Sequence, residues 1–177
     1  MYCRCLVEDM GFKKTSDTIA ISFLQTESAP NTFTQDEIAL QLDVLNNEIF
    51  VVLAVDIDLE APDALAGTNT ETGGSVTSTT QTGVSSLGNT NCIATAKDVI
   101  RAAGFVDSGV GFSRAANQSY TGDVDYIALI ATNNFFVQIK GANNGVAKTL
   151  SGRVWGYRAR ADASTYAALV QSEVLSA

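Results

Sequence analysis

The sequence predicts an all-β fold with a minor α content: an antiparallel β-sandwich, or single jelly roll, with one short connecting helix and a C-terminal helix. Apolar and polar residues alternate with a period of two over many short segments, and Asn, Asp and Gly residues separate those segments. Residues 123–162 also hold the single Trp, two of the five Tyr and two of the eight Phe. Such a pattern predicts about seven to nine antiparallel strands joined by turns.

The chain of 177 residues fits one domain. We expect residues 1–16 to form an N-terminal arm, residues 17–161 the β-sandwich and residues 162–177 the C-terminal helix.

Nine segments carry strand signals. In 37–45, Ile38, Leu40, Leu42 and Val44 alternate with polar residues, which is the clearest half-buried pattern. The segment 48–59 is apolar on both faces at first, which indicates a central strand. The expected strands, in chain order, are 19–25, 37–45, 48–59, 75–82, 109–114, 124–132, 135–141, 146–150 and 152–161.

Two segments read as helices. Residues 95–103 have Thr95 as a possible N-cap, Asp98 three residues later and Gly104 as a stop signal. The second helix begins near Ala163 and has apolar residues at helical spacing.

Residues 60–90 are rich in Thr, Ser and Gly. Two alternatives are open for them: a disordered insertion, or a long surface loop with one polar strand at a binding or assembly face.

The net charge of −8 is unevenly distributed. Residues 1–89 contain 3 basic and 13 acidic residues (−10), whereas residues 90–177 contain 8 basic and 6 acidic residues (+2). An acidic chain argues against a dedicated nucleic-acid site. The asymmetry suits contacts between an acidic face and a basic face of neighbouring copies, although an acidic surface also simply confers solubility.

The chain contains no His, which removes the commonest general base and metal ligand. We therefore expect no enzymatic activity and no cofactor. The three cysteines, Cys3, Cys5 and Cys92, show no disulfide spacing and are expected to be reduced thiols. The first residues do not resemble a signal peptide, and no apolar run is long enough to be a transmembrane segment.

The densest carboxylate cluster is Asp56, Asp58, Glu60 and Asp63. The first three share one face of an extended chain, so the cluster is a candidate site for a hard cation such as Ca²⁺. The pattern lacks the glycine and closing glutamate of an EF-hand loop, and a charged strand end that prevents edge pairing is the alternative. Paired acids also occur in glycosidases, but sequence spacing does not establish that geometry.

Cationic and aromatic residues alternate from Arg153 to Arg160, with Trp155, Tyr157 and Arg158 between them. We expect Trp155 and Tyr157 to face the core, with salt bridges at its rim. Contacts of Arg153, Arg158 and Arg160 with an acidic neighbouring subunit are the second interpretation, and nucleic-acid contact is the third.

Taken together, residues 17–161 resemble a small single jelly-roll viral capsid protein, in type rather than through any residue motif. The resemblance implies a structural protein that self-assembles into a shell, with its own copies and other virion proteins as partners. It also implies location in a virion assembled in the host cytoplasm. The alternative is a carbohydrate- or ligand-binding sandwich of lectin or adhesin type, with calcium at Asp56–Asp63.

Overall fold

The computed structural model describes residues 11–104, 113–114, 118–119 and 124–175, with the backbone alone described at 113–114 and 118–119. Eleven strands and one α-helix lie in these residues. The strands are β1 Phe12–Lys14, β2 Ile19–Thr26, β3 Thr34–Ala39, β4 Glu48–Leu59, β5 Thr70–Thr77, β6 Cys92–Ile100, β7 Ser113–Arg114, β8 Gln118–Ser119, β9 Ala128–Ile130, β10 Asn134–Ala142 and β11 Thr149–Ala161. The helix, α1, spans Ala163–Leu175.

The strands form two antiparallel sheets. In sheet A, β11 and β4 pair at the centre, β1 and β2 share the free side of β11, and β8 and β9 share the free side of β4. Sheet B has the order β3-β10-β5-β6-β7. The principal orders are therefore β2-β11-β4-β9 and β3-β10-β5-β6. Among these eight strands, every connection except the one from β5 to β6 crosses from one sheet to the other. This is the strand order of a jelly roll, so the predicted fold class is confirmed.

The main core lies between the two sheets. Phe23 of sheet A meets Phe135 of sheet B edge to face, with ring centroids 6.3 Å apart. Apolar residues from both sheets surround this pair: Phe50, Val52, Val55, Ile57, Val76, Val137, Ile139, Leu150 and Val154.

A second core lies on the outer side of sheet A, beneath α1. Ile49 and Val51 of β4 and Ala159 of β11 pack there against Tyr166 and Leu169 of the helix. The first half of β4 is thus covered on both sides, which explains its continuous apolar run.

The predicted helix over 95–103 is wrong, because Cys92–Ile100 is strand β6. Ala94 and Ala96 point into the inter-sheet core, opposite Val76 and Gly74 of β5. The segment therefore has a period of two, and tertiary burial overrides its helical capping signals.

Several other strand boundaries differ from the expected ones. β3 ends at Ala39 rather than at residue 45, because Gln41 has a φ of 53° and the chain turns so that Leu40 and Leu42 are buried. Instead of the expected strands 146–150 and 152–161 there is one strand, Thr149–Ala161, which has no break at Ser151-Gly152 and leaves out residues 146–148. The one polar strand expected in residues 60–90 is Thr70–Thr77 rather than 75–82, and the strand expected over 124–132 is confined to Ala128–Ile130. Most of the segment 109–114 lies outside the described residues, as do residues 1–10 of the expected arm, whereas Phe12–Lys14 of that arm belongs to sheet A.

The Thr- and Ser-rich segment of residues 60–90 has defined structure. β5 is a central strand, and the following loop lies on the outer face of sheet B. The side-chain amide of Gln138 accepts a hydrogen bond from Ser75 Oγ (2.7 Å) and donates to Thr77 Oγ1 (2.6 Å) and Gln35 Oε1 (3.0 Å). Gln35 Oε1 also accepts a hydrogen bond from the backbone N–H of Gln81 at 2.8 Å. Buried hydroxyl and amide groups thus hold the loop on the sheet.

Three loops at one end of the sandwich, 27–33, 60–69 and 143–148, meet in a polar network that we call the clasp. Buried Glu27 accepts the backbone N–H groups of Gly141 (2.6 Å) and Lys148 (2.9 Å). The Lys148 ammonium, also buried, contacts Asp63 at 2.7 Å. The side chain of Asn144 accepts the N–H of Asp63 and donates to the carbonyl of Glu71. The clasp therefore joins segments of the chain that are far apart in sequence.

Buried Glu173 fixes α1 to the opposite end of the sandwich. Its two carboxylate oxygens accept the backbone N–H groups of Ala131 (3.1 Å) and Thr132 (3.0 Å). Burial raises the pKa of Glu173 above its ordinary value of 4.5, and the two N–H bonds oppose that rise.

We expect Glu27→Ala to lower the free energy of unfolding by about 3 kcal/mol, because it leaves two buried N–H groups without an acceptor. Urea denaturation followed by circular dichroism measures the loss. Glu37→Ala, at an exposed position of β3, is the control and should cost about 0.5 kcal/mol or less. A loss of less than about 1 kcal/mol for Glu27→Ala would show that the clasp contributes little.

We expect Glu173→Gln to change how stability depends on pH. Because the pKa of Glu173 is raised in the folded state, its protonated form contributes stability that is complete below pH 4.5 and is lost as pH rises through the folded-state pKa. The stability of the parent chain relative to Glu173→Gln should therefore fall from acidic to neutral pH. Gln171→Glu places a carboxylate at an exposed position of the same helix and should show no comparable slope. Parallel pH profiles for the parent chain and Glu173→Gln would contradict this account.

Candidate assembly surface

The outer face of sheet A is divided into two parts. Helix α1 covers the part formed by the end of β11 and the start of β4, whereas the other part faces solvent. We call this second part the open face. Its outward residues are Ala20, Ser22 and Leu24 of β2, Ser151, Arg153 and Trp155 of β11, and Ala54, Asp56 and Asp58 of β4.

Trp155 lies on the open face, so the expectation that it faces the core is wrong. Its neighbour Val154 points between the sheets and is buried, which turns Trp155 outward, where it is half-buried. The Arg153 guanidinium lies 5.7 Å from the centre of the Trp155 ring, and its Nε donates to Ser22 Oγ at 3.2 Å. Leu24 on the adjacent strand is 68% exposed. Trp and Arg are among the residue types that contribute most of the binding energy in protein–protein contacts.

Two of the four predicted metal ligands also lie on the open face. Asp56 is opposite Arg153 in the β4–β11 register, and Asp58 is opposite Ser151. Both carboxylates are exposed. None of the ion pairs found among the described residues involves Asp56, Asp58 or Arg153.

Glu60 and Asp63, the other two predicted ligands, belong to the clasp. Lys148 Nζ lies 3.7 Å from Glu60 and 2.7 Å from Asp63, so a cation of the protein occupies the space between them. Hydrogen bonds from Lys148 and from the Gly145 N–H lower the pKa of Asp63. Within the described part of the chain, no three acidic or cysteine side chains are grouped to hold a metal ion.

The sequence points to Asp98 only as a capping residue of the expected helix, not as a residue near the carboxylates of β4. Asp98 of β6 has its pKa raised by burial and, to a lesser degree, by the negative charge of Asp58. Asp98 and Asp58 are 40 positions apart in the sequence, and the packing of the two sheets brings them close enough for their charges to interact.

Arg158 and Arg160 have different surroundings. The Arg158 guanidinium donates to the carbonyl of Leu40 at 3.0 Å and lies 3.9 Å from Glu48, so it is held within its own chain. Arg160 is exposed and pairs in register with Lys13 of β1.

The cations at this end of sheet A form a second feature, the basic edge, which consists of Lys13, Lys14 and Arg160. Lys14 Nζ lies 4.8 Å from the centre of the Tyr157 ring. Residues 11–15 and 160–162 line a groove of about 590 Å³ along this edge. Burial raises the pKa of Tyr157, with smaller contributions from Asp125 and Tyr126.

Opposite charges thus lie at the two ends of one sheet. The Asp58–Ser151 pair marks the acidic end, and the Glu48–Arg160 pair lies beside the basic edge. Nine steps along β11 at about 3.3 Å per residue separate them by roughly 30 Å. An acidic end and a basic end so far apart in one molecule favour contact between different molecules.

Cys92 is a free thiol whose pKa is raised by burial, while Cys3 and Cys5 lie outside the described residues. In the part of the chain that the structure describes, no helix is long and apolar enough to span a membrane.

No family model and no curated protein matches this sequence. Among solved structures, the chain is similar to one from Desmodium yellow mottle tymovirus, at 12% sequence identity and a TM-score of 0.32, over 84% of this chain and 91% of that chain. A TM-score this low carries no functional argument, and the jelly-roll assignment rests on the strand order of the chain itself.

Proposed function

We propose that this chain is a non-catalytic structural subunit that assembles with copies of itself into a shell, and that the shell belongs to a virion. The observation that carries the proposal is the pair of unlike, complementary patches on sheet A: the open face and the basic edge. Other virion proteins are further partners under this proposal, and the virion is its location.

The contact is of the heterologous kind. Asp56 and Asp58 of one copy would meet Lys13, Lys14 and Arg160 of the next. Because the two patches are different surfaces, each copy keeps one patch free after its first contact. Repetition of such a contact gives closed rings and shells when the rotation between copies closes.

The apolar side chains of the open face contribute binding free energy that the charged residues alone do not provide. Exposed ion pairs contribute only about 0–1 kcal/mol each and are screened by salt. Half-buried Trp155 and exposed Leu24 offer apolar area whose burial contributes about 25 cal/mol per Å². The charges would therefore orient neighbouring copies, and Trp155 with Leu24 would hold them.

The fold class is compatible with this role. Jelly rolls are used in capsid and lectin domains, and fold alone does not decide between them. The calcium route proposed for a lectin is the weaker alternative here, because Lys148 lies between Glu60 and Asp63 and the described residues contain no grouped metal ligands.

A charge-exchange experiment tests the proposal. The double variant Asp56→Lys/Asp58→Lys and the triple variant Lys13→Glu/Lys14→Glu/Arg160→Glu should each stay monomeric in light scattering, at concentrations where the parent chain assembles. An equimolar mixture of the two variants should form complexes, because both contacts between unlike variants pair opposite charges: the native basic edge of one with the native open face of the other, and the two reversed patches with each other. Assembly of the parent chain should also weaken as salt is raised.

Asp36→Lys, an exposed reversal on sheet B, is the control and should assemble like the parent chain. A parent chain that stays monomeric at all concentrations would refute the assembly function. Normal assembly of both charge variants would refute the proposed contact.

A further inference from the structure

The outer face of sheet B contains a hollow that the assembly proposal does not use. Residues of β5, β6 and β10 form its floor, and the loop after β5 forms one wall. Its volume is about 330 Å³. Ligand sites usually range from about 300 to 1,000 Å³, so the hollow suits a small molecule.

Gly73 forms the centre of the floor. The adjacent Gly74 is required by packing, since a Cβ there would lie 2.1 Å from Leu150. A Cβ at Gly73 would meet its nearest atoms only at 3.8 Å, an ordinary contact. Packing therefore does not require a glycine at position 73, although glycine weakens the interior of a strand. A glycine inside a strand often marks a bulge, a bend, or a place where a ligand or another backbone comes close, and the register shows no bulge at Gly73.

Two lysines flank this glycine. Lys140 of β10 and Lys97 of β6 are its direct cross-strand partners, so the three residues form one row across the sheet. Lys97 forms an ion pair with Glu71 at 2.6 Å. Lys140 is exposed and takes part in none of the ion pairs found among the described residues. The lining thus has one carboxylate and two ammonium groups, a net charge of +1 that matches a monoanion.

The remaining lining is hydroxylic and apolar. Ser85, Ser86 and Thr95 border the hollow, together with Val84 and Ala142. Hydroxyl groups of a ligand could donate to the Glu71 carboxylate, and its C–H surface would lie on Gly73 and Val84.

We propose that this hollow binds a small hydroxylated carboxylate of the sugar-acid class, with the ligand carboxylate on Lys140 and a ligand hydroxyl on Glu71. The site is independent of the assembly surface, because it lies on the other sheet.

Saturation-transfer NMR with sodium glucuronate as the probe tests the site on the full chain. Binding should saturate, and glucose, which lacks the carboxylate, should bind at least tenfold more weakly. Lys140→Gln and Gly73→Leu should each raise the Kd about tenfold or more, the first by removing the cation and the second by filling the floor.

The matched controls are Lys13→Gln, an exposed lysine on sheet A, and Gly104→Leu, where no atom of the described residues lies within 4 Å of an added Cβ. Both should bind glucuronate like the parent chain, and Lys140→Arg should retain most of the affinity. Lys140→Gln keeps the test valid even if Gly73→Leu does not fold. Absence of saturation up to about 10 mM, or equal Kd values for the parent chain and Lys140→Gln, would overturn the proposal. Binding of inorganic phosphate as tightly as glucuronate would overturn the sugar-acid assignment.

Discussion

The pairing of β4 with β11 is the constraint on which the rest of the molecule depends. Its register shifts where Trp155 and Gly156 of β11 face Ala54 and Val52 of β4, which leaves Leu53 as an extra residue. Before this bulge, even-numbered residues of β4 face the inter-sheet core, and after it odd-numbered residues do. Without the shift, Asp56 and Asp58 would point between the sheets, where unpaired carboxylates are costly.

The same shift divides the outer side of sheet A. Upstream of it, Ile49 and Val51 require a cover, which α1 provides with Glu173 as its anchor. Downstream of it, the side chains beside Trp155 are polar, charged or small, and no described element covers them. The helix-covered and open parts of one sheet are therefore two consequences of a single extra residue in β4.

The sequence predicts β2, β4 and β10 almost where they lie, whereas the clearest alternation, over 37–45, continues beyond the end of β3 at Ala39. The sequence-based prediction is wrong at Trp155 and over residues 95–103, where burial in the folded chain decides the structure. Alternation around Trp155 defines two faces but not which one is inward. The inward side is the one with Gly152 and Gly156, because an added Cβ at Gly152 would lie 2.5 Å from the Phe23 ring, and one at Gly156 would lie 2.6 Å from the Phe50 ring.

The helix expected over 95–103 is wrong for a related reason. Its alanines are compatible with a helix or a strand, and their burial against β5 selects the strand. The clasp cannot be predicted from the sequence, because its hydrogen bonds join residues as far apart as Glu27 and Lys148, which are 121 positions apart along the chain. For the candidate site, the sequence suggests Arg153 as an interface residue and Asp56 and Asp58 as metal ligands, but it places Trp155 in the core and does not distinguish Arg158 from Arg160.

Under this proposal, copies of the chain meet at the open face. Because Trp155 is the single Trp of the chain and lies on that face, its fluorescence reports directly on the contact. Fluorescence quenching of Trp155 by acrylamide should be recorded with light scattering over a range of protein concentrations. The account predicts that quenching falls, and that the emission shifts to shorter wavelength, over the same concentration range in which the mass rises. A rise in mass with unchanged Trp155 quenching would contradict it.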